Sequence, residues 1–271
     1  MISVITPCKN IISDGREVSF RKMIDTLYSQ TYKDFEHIVV DGGSKDGTRV
    51  VLEEFRKGGK IDILISEEDH NTYQAINRGM KLSKGEFIHI MNSDDCFADV
   101  NFFAESLQKM KELGVDYTHG NRNIYSKKDG SFISVKKGDE KVAFFRMPFR
   151  FQTMLIRKSV YDELGPFDEK YYIAGDYKFM LRMILSGKRG YHFDKVFIHS
   201  LDGGITSDRQ KCIDEVSDVI FEVYGKESNL TLDDCRHIYT RDIFTQLLTK
   251  ILANVKNEQI IGSIKYSIMN P

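Results

Sequence analysis

The chain has 271 residues, of which 29% are charged and 41% hydrophobic, a composition that is typical of folded globular proteins and excludes disordered and fibrous classes. Lys and Arg number 39 against 40 Asp and Glu, so the net charge of −1 gives no overall field that would recruit nucleic acid or an anionic membrane. The four cysteines are too scattered for a zinc site or a disulfide framework, which favours a reduced, cytoplasmic compartment.

Residues 1–98 repeat a strand followed by a helix. Strand-like apolar patterns cover residues 2–6, 35–41, 61–66 and 87–91. Helical spacing of apolar residues occurs between them, at residues 18–30, 50–55 and 71–82. This alternation predicts a mostly parallel α/β sheet with helices on both faces. Because the chain opens on a strand pattern and no apolar run approaches the ~20 residues that cross a bilayer, we expect neither a leader nor a membrane span.

Residues 99–206 continue the same fold class less regularly. Patterns predict a helix at 99–113, a strand at 115–118, a β-hairpin at 121–135, a strand at 153–156, helices at 158–164 and 175–185, and a last strand at 191–199. The hairpin turn carries Asp129-Gly130, which supplies the positive φ that tight turns need. We therefore expect one α/β domain over residues 1–206, divided near residue 98, and a helical extension over residues 207–271.

The extension carries one apolar stripe at helical spacing. Its members are Phe244, Leu247, Leu248, Ile251, Leu252 and Val255. The stripe could pack on the main domain, form a homo-oligomer contact or lie on a membrane surface. We favour packing, because most amphipathic helices of globular chains cover their own core.

Polar side chains follow the predicted strands at the points where these strands end. Thr6-Pro7, Asp41, Ser66-Glu67 and the segment Asn92 to Asp95 occupy these positions. The carboxyl ends of parallel strands meet at one edge, where open α/β sheets bind ligands. The first strand is followed by neither a dinucleotide-binding glycine motif nor a P-loop, so phosphate must be held in another way.

The pair Asp94-Asp95 is the strongest candidate for holding a cation at that edge. One or two carboxylates, completed by ligand phosphates, are what Mg²⁺ and Mn²⁺ prefer. The simpler interpretation is that one of these residues caps the next helix. That helix is expected to start nearer Asp99, which can cap it instead.

Several short motifs occur along the chain in a definite order. They are Ile5-Thr6-Pro7 with Asn10, the segment Asp41 to Thr48, Ser66-Glu67 with Asp69, the segment Tyr73 to Gly79, and Asn92 to Asp95. Together they resemble the family 2 glycosyltransferases, which have the GT-A nucleotide-sugar fold. The resemblance covers about residues 1–207 and includes further matches around 152–182. It implies a nucleotide-binding half at 1–98 and an acceptor-side half at 99–206.

The resemblance implies a donor site at the strand ends. The residues that would contact the nucleotide or its sugar are Thr6, Pro7, Asn10, Asp41, Ser66, Asn77, Arg78, Asn92 and Asp94. Asp41 would bind the base, although a strand-ending Asx turn also explains it. Arg78 would face the base or the diphosphate, or would simply be solvated. Asp95 would ligate the Mn²⁺ or Mg²⁺ that bridges the diphosphate, with Asn92 as a weaker cation ligand.

The resemblance also implies an acceptor side and a general base. Asp176 matches the family's base at the start of a helix, where a plain helix cap is the alternative. The candidate acceptor residues are Gln152, Tyr172 and Gly175. Relatives commonly have His-Gln where this chain has Phe151-Gln152, so the histidine's role has no counterpart here. His199 could reach the metal when the glycine-containing loop at 203–207 closes as a lid, or it could be structural.

The expected function is metal-dependent, inverting transfer of a sugar, with UDP as the expected nucleoside diphosphate. The acceptor would be a hydroxyl of a glycan or lipid-linked saccharide in the synthesis of a bacterial capsule, O-antigen or exopolysaccharide. The expected location is the cytoplasm or the inner face of the plasma membrane. A non-catalytic scaffold in a polysaccharide assembly complex and a sugar-phosphate nucleotidyltransferase are the alternatives. The latter needs a glycine-rich basic loop that Pro7 to Asn10 does not supply.

Overall fold

The computed structural model describes residues 1–204, 208–243 and 245–269. The described residues do not include Phe244, most of the predicted lid or the expected domain boundary at residue 206. The chain divides into two compact units. The first comprises Met1–Gly138, Phe149–Phe167 and Lys188–Asp202, and the second comprises Asp139–Pro148, Asp168–Gly187 and Gly203–Pro271. The second unit thus includes two segments that lie inside the domain predicted over residues 1–206. The boundary of that domain stays a prediction.

The first unit opens with four parallel strands. They are β1 (Ile2–Cys8), β2 (Phe35–Asp41), β3 (Ile63–Ser66) and β4 (Phe87–Ile90), in the spatial order β3-β2-β1-β4. The connecting helices are α1 (Glu17–Tyr28), α2 (Thr48–Lys57) and α3 (Thr72–Leu82). α1 shows why these segments fold: Phe20, Met23, Ile24 and Leu27 fall on one helix face and are all buried. The strand-helix alternation is confirmed.

The rest of the first unit makes the sheet mixed. Its elements are β5 (Cys96–Phe97), α4 (Phe102–Leu113), β6 (Tyr117–Tyr125), β7 (Phe132–Lys136), β8 (Met154–Arg157), α5 (Lys158–Leu164) and β9 (Gly190–Leu201). Among the described residues the sheet has nine strands, and the order continues from β4 as β8-β6-β9-β5, with β7 paired to β6. β8 runs antiparallel to both β4 and β6, whereas β9 is parallel to β6. The predicted hairpin is confirmed as β6 and β7.

The second unit is helical. Its elements are a short 3-10 helix (Glu140–Val142), α6 (Gly175–Leu185), α7 (Arg209–Ile220), a π-helical turn (Phe221–Gly225), α8 (Leu232–Thr240), α9 (Thr245–Asn254) and α10 (Glu258–Met269). Leu247, Ile251 and Val255 of the apolar stripe are buried in this unit's own hydrophobic core. The same core includes Val142 and Tyr177 from the domain predicted over residues 1–206, so the packing interpretation is confirmed for these three residues. Within the described ranges, no helix combines the length and apolarity needed to cross a membrane.

Candidate functional site

Asp41 lies where β2 ends, beside Cys8 of β1 and Ser66 of β3 in the parallel register. Its carboxylate is fully buried and receives a hydrogen bond of 2.6 Å from the Ser66 hydroxyl. The Ser44 amide lies 3.2 Å from both carboxylate oxygens, and the Ser44 hydroxyl donates to Oδ1. The structure therefore brings Asp41 and Ser66 together. It also shows the strand-ending turn that was the alternative interpretation of Asp41.

Asn10 fixes the loop that follows β1 against this turn. It adopts a left-handed backbone conformation with φ of 51°, which asparagine tolerates better than most residues. Its side-chain oxygen accepts from the Lys45 amide at 3.2 Å, and its own amide donates to the Ser44 hydroxyl at 2.7 Å. Asp46 accepts from the Ser13 amide at 2.7 Å. Desolvation opposes the effect, but hydrogen bonds from Ser13 and neighbouring groups lower the pKa of Asp46 overall.

Thr6 is buried inside β1 rather than at its tip. Its hydroxyl lies 3.0 Å from Nε2 of His37, which is itself fully buried. Burial lowers the pKa of His37 to about 4, so this imidazole is neutral at physiological pH. Pro7, the next residue, pairs with Val40 and is also buried. The predicted contact of Thr6 and Pro7 with a base stays a prediction.

The two α3 candidates are both engaged with main-chain groups. The Asn77 amide donates to the Phe167 carbonyl and accepts from the Phe167 N–H, each at 2.9 Å. Arg78 donates to the carbonyls of Glu67 at 3.1 Å and Glu68 at 2.9 Å. Arg78 thus orders the loop after β3, at the same sheet edge as Asp41. Direct roles of Asn77 and Arg78 toward a nucleotide stay predictions.

The segment from Asn92 to Asp95 leaves β4 at the same edge. Only 6% of Asp95 is exposed, and its amide donates to the Asn92 carbonyl at 3.4 Å. Burial first and the adjacent Asp94 second raise the pKa of Asp95 to about 7, against the opposing effects of Ser200, Arg122 and Asn92. Asp95 is therefore a carboxylate whose negative charge is poorly compensated by the protein.

Neither Asp94 nor Asp95 caps a helix. α4 begins at Phe102 with Asn101 in the N-cap position, so the expected start near Asp99 was too early. Asp99 instead accepts from the Asn101 amide at 2.7 Å and pairs with Lys195 at 2.6 Å. The helix-cap interpretation of the carboxylate pair is wrong.

His199 lies next to this acidic segment. It pairs with Cys96 across β5 and β9, and Cys96 directly follows Asp95. Burial first and Lys22 second lower the pKa of His199, which favours the neutral imidazole that can ligate a metal. Its Nδ1 is buried and has no hydrogen-bond partner in the described part of the chain. The structure thus brings His199 to the predicted cation site without showing what its ring binds.

A divalent cation would fit at this edge only if the protein and the substrate both supplied ligands to it. No cluster of three or more His, Cys, Asp or Glu side chains suited to a metal occurs among the described residues. The uncompensated charge of Asp95, reinforced by Asp94, is nevertheless a feature that a cation would neutralise. Mg²⁺ and Mn²⁺ commonly take one or two carboxylates and complete their shell with water and phosphates. The residues present fit that arrangement.

Arg122 is a residue of this region that the sequence analysis missed. It lies on β6 opposite Ile198 of β9, one position before the pair formed by Asn123 and His199. The side chain is partly buried and makes no hydrogen bond or ion pair with any residue that the structure describes. Burial first and Arg150 second lower the pKa of Arg122 to about 10, while Asp95 opposes them. Arginine inside a predicted strand was the available signal.

Asp176 belongs to the second unit and lies in the first turn of α6. Ala174 occupies the N-cap position, so Asp176 is not the cap residue of this helix. One carboxylate oxygen accepts from the Tyr177 amide at 2.8 Å. Asp176 therefore remains a candidate base that the first helical turn holds in place.

Glu215 of α7, also missed from the sequence, holds the segment that leads into Asp176. Its carboxylate accepts the amides of Tyr172 at 3.0 Å, Ile173 at 2.6 Å and Ala174 at 3.0 Å. Three amides at the start of α6 are thereby satisfied by one negative charge, which the helix dipole also favours. No local pattern indicates this contact, because the residues are more than forty positions apart.

The acceptor-side candidates fall in both units. Gln152 lies in a 3-10 helix (Phe151–Thr153) of the first unit, whereas Tyr172 and Gly175 belong to the second. Tyr172 is 42% exposed, and the Lys211 ammonium lies 4.0 Å from the centroid of its ring. Their roles toward an acceptor stay predictions.

Comparison with known proteins gives the family. A family model described as Glycosyl transferase family 2 matches residues 3–185. The chain belongs to this family. GlyG of Streptococcus pneumoniae serotype 4, named as a glycosyltransferase, is 30% identical over 141 residues, which are 52% of this chain and 45% of GlyG. The matched part therefore spans less than half of that relative.

Solved structures agree on the fold of this family 2 chain. TarS 1-349 of S. aureus in complex with UDP-GlcNAc has a TM-score of 0.65 at 18% identity, covering 99% of this chain and 80% of that one. The mannosyltransferase PcManGT of Pyrobaculum calidifontis, in complex with GDP-Man and Mn²⁺, has a TM-score of 0.62 at 15% identity, covering 99% and 74%. The predicted family and α/β fold class are confirmed.

Proposed function

We propose that this family 2 chain transfers a sugar from a nucleoside diphosphate, with UDP as the first choice, to a saccharide hydroxyl. The single observation that carries the proposal is Asp95, a buried carboxylate with poorly compensated charge at the carboxyl end of β4. Asp41, Ser66 and His199 lie at strand positions of the same sheet edge. The UDP-GlcNAc complex of TarS and the GDP-Man and Mn²⁺ complex of PcManGT support a nucleotide-sugar donor and a divalent metal.

The donor would bind along the strand ends of the first unit. Asp41 is oriented by Ser44 and Ser66 and would accept a hydrogen bond from the base. Asp95 would hold the cation, with Asp94 at the ribose or donor sugar and His199 as a further ligand. A bound Mn²⁺ or Mg²⁺ would stabilise the negative charge that develops on the departing diphosphate.

Arg122 would add a second positive charge toward that diphosphate. Its guanidinium has donors that no described residue uses, and it lies close enough to Asp95 to interact electrostatically. Arginine presents a fixed fork of N–H groups that suits phosphate oxygens. This role explains why a partly buried cation lacks a hydrogen-bonding partner within the described protein.

The chemical step would be a direct displacement at the anomeric carbon. The acceptor hydroxyl oxygen forms the new bond while the bond to the diphosphate oxygen breaks and its electron pair leaves with the nucleotide. Asp176 would take the hydroxyl proton as the bond forms, because a neutral alcohol is a weak nucleophile. A single displacement inverts the anomeric configuration through a transition state with oxocarbenium character. The acceptor would be a glycan or lipid-linked saccharide in bacterial surface polysaccharide synthesis at the cytoplasmic side.

The test is a thermal-shift screen of UDP- and GDP-sugars with MnCl₂ or with EDTA. We expect one nucleotide class to raise the melting temperature in the presence of manganese. Asp95→Asn should abolish the manganese-dependent part of the shift, whereas Asp25→Asn, a change at an exposed position of α1, should keep it. No shift with any nucleotide sugar, or a shift that is equal in Asp95→Asn, contradicts the proposal.

Turnover separates an enzyme from a non-catalytic scaffold of the same fold. A glycosyltransferase usually hydrolyses its donor slowly without acceptor, and this is measured as UDP release. Binding of a nucleotide sugar without hydrolysis or transfer to any acceptor would favour the scaffold interpretation. Release of pyrophosphate from a nucleoside triphosphate and a sugar phosphate would favour a nucleotidyltransferase.

A further inference from the structure

The β6–β7 hairpin is the most continuously exposed segment of the first unit. Every residue from 127 to 133 and from 135 to 137 is exposed. β7 pairs with β6 alone among the described strands, so its second edge is free. The hairpin therefore presents a strand with one open edge and side chains exposed on both of its faces.

Three large apolar side chains are exposed on this one short strand. Phe132 is 55% exposed, Ile133 49% and Val135 45%. Successive residues of a strand point to opposite faces, so Phe132 is on one face and Ile133 and Val135 are on the other. Elsewhere in the first unit the large exposed hydrophobic residues are isolated along the sequence. A local cluster of this kind marks an interaction surface rather than ordinary scatter.

Lysines flank the apolar cluster on both sides. Lys127 and Lys128 are in the turn, and Lys136 and Lys137 follow the apolar residues. Lys137 pairs with Asp194 at 2.9 Å, whereas the other three ammonium groups make no ion pair with the described residues. The net charge of the whole chain is only −1, so this positive charge is a local feature.

We propose that the β6–β7 hairpin docks on a membrane leaflet that contains anionic lipid. The apolar side chains would enter the headgroup boundary while the unpaired lysines contact lipid phosphates, a combination typical of peripheral membrane binding. Edge pairing with a second copy is the rival occupant. Lys136 on β7 disfavours it, because a charged lysine on an edge strand opposes strand-to-strand association. This inference does not depend on the proposed function.

A tryptophan probe tests insertion directly, because the chain contains no tryptophan. Phe132→Trp should show a blue-shifted emission when vesicles of phosphatidylcholine with 30% phosphatidylglycerol are added, about the fraction that gives a strongly anionic surface. Val18→Trp on α1, where the native side chain is 80% exposed, is the matched control and should show no shift. An unshifted spectrum of Phe132→Trp overturns the proposal.

Charge removal tests the lysines by vesicle flotation of the full chain. The double change Lys127→Gln and Lys128→Gln should weaken partitioning about 25-fold, from roughly fivefold for each basic residue near an anionic surface. The matched control is Lys81→Gln with Lys84→Gln, two exposed lysines elsewhere in the unit, which should partition like the unmodified chain. Circular dichroism checks that both variants fold. A further test needs no variant: the unmodified chain should lose its binding to vesicles in 0.5 M salt, where the Debye length is about 4 Å.

Two outcomes overturn the proposal here. One is equal partitioning of the unmodified chain into vesicles with and without phosphatidylglycerol. The other is a concentration-dependent dimer, seen by sedimentation, that Val135→Lys on β7 abolishes while vesicle binding is absent. That second result would assign the surface to a second copy of the chain.

Discussion

Two groups of charged residues use the same residue types in opposite ways. One is the acidic edge of the first unit, with Asp95 and Arg122, and the other is an ion-pair cluster of the second unit, centred on Lys178. In the cluster, Lys178 contacts Asp168 at 2.6 Å and Glu222 at 2.7 Å, and Tyr171 donates to Glu222 at 3.0 Å. At the edge, Asp95 is buried with poorly compensated charge, and Arg122 makes no hydrogen bond with a described residue.

Each arrangement has its own physical consequence. Buried or half-buried charges that are mutually satisfied contribute to holding the fold, and their loss is felt as stability. Charges that the protein leaves unsatisfied cost stability and are tolerated where a ligand completes them. The comparison predicts that changes at the edge and at the base alter binding or rate, whereas changes in the cluster alter the free energy of unfolding.

The largest expected effect is at the proposed base. Asp176→Asn should lower the rate of sugar transfer by about 10²–10⁴-fold, because an amide cannot accept the acceptor's proton. Donor binding and the melting temperature should stay close to those of the unmodified chain. Steady-state transfer with saturating donor measures the change. An unaltered rate would remove Asp176 from the chemistry.

A change at Arg122 should weaken the binding of the diphosphate and of no other part of the nucleotide. Arg122→Gln should weaken UDP binding by about 10- to 100-fold, the typical worth of a charge-assisted hydrogen bond, and leave uridine binding unchanged. Isothermal titration with both ligands makes the comparison. Arg56→Gln, at an exposed position of α2, is the control. Equal weakening for UDP and uridine would mean that Arg122 only shapes the pocket.

Glu215 should affect the rate of sugar transfer by positioning the segment that leads into Asp176. Glu215→Ala frees the amides of residues 172–174 and should lower kcat about tenfold, since a small misplacement of a catalytic group is costly. The KM for the donor should not change, because Glu215 contacts the segment before Asp176 and none of the residues proposed to bind the donor. Asp214→Ala, the neighbouring exposed acid on α7, should keep kcat. A change in donor KM with constant kcat would contradict a positioning role.

The edge of the sheet that carries these polar residues could be predicted, because each strand has a recognisable pattern in its local sequence. Period-two apolar patterns ended at Asp41, Ser66 and Asp94-Asp95, and the rule that parallel strands end together placed them on one edge. The same reasoning could not foresee that β8 would insert antiparallel between β4 and β6. That pairing joins segments about seventy residues apart, and no local periodicity encodes it.

The missed residues share that cause. Glu215 acts on amides more than forty residues earlier. The significance of Arg122 is that it makes no hydrogen bond with a described residue, which only a structure can show. Asp41 was ambiguous between a base contact and a turn, and the Ser44 contacts make the turn real while leaving the base contact a prediction. The bounds of elements were less accurate than their types. α4 starts at Phe102 instead of Asp99, and the segments predicted as separate strands at 115–118 and 121–125 form the single strand β6.

A cluster residue should show the opposite behaviour. Glu222→Gln should lower the free energy of unfolding by about 1–2 kcal/mol, after allowing for solvent screening of a side chain that is 34% exposed. Transfer per folded molecule should be unchanged. Denaturant titration gives the difference, and Glu227→Gln, an exposed acid in the following turn, should change nothing. A Glu222→Gln variant of full stability but low activity would invert the comparison.

The smallest effect is the pH dependence of that same contribution. Burial pushes the pKa of Glu222 upward, but hydrogen bonds from Lys170, Lys178 and Tyr171 outweigh it and lower the pKa to about 2 from 4.5. A carboxylate whose pKa is lower in the folded state stabilises the fold above its unfolded pKa and loses that contribution as pH falls toward the folded value.

The stability difference between the unmodified chain and Glu222→Gln should therefore be complete above pH ~5 and shrink steadily toward pH ~2. Unfolding by urea at pH 7, 4 and 3 measures the difference at each step. A difference that is constant over this interval would mean that Glu222 stabilises the second unit by packing and neutral hydrogen bonding instead of by charge. The contrast with the poorly compensated carboxylate of Asp95 would then rest on burial alone.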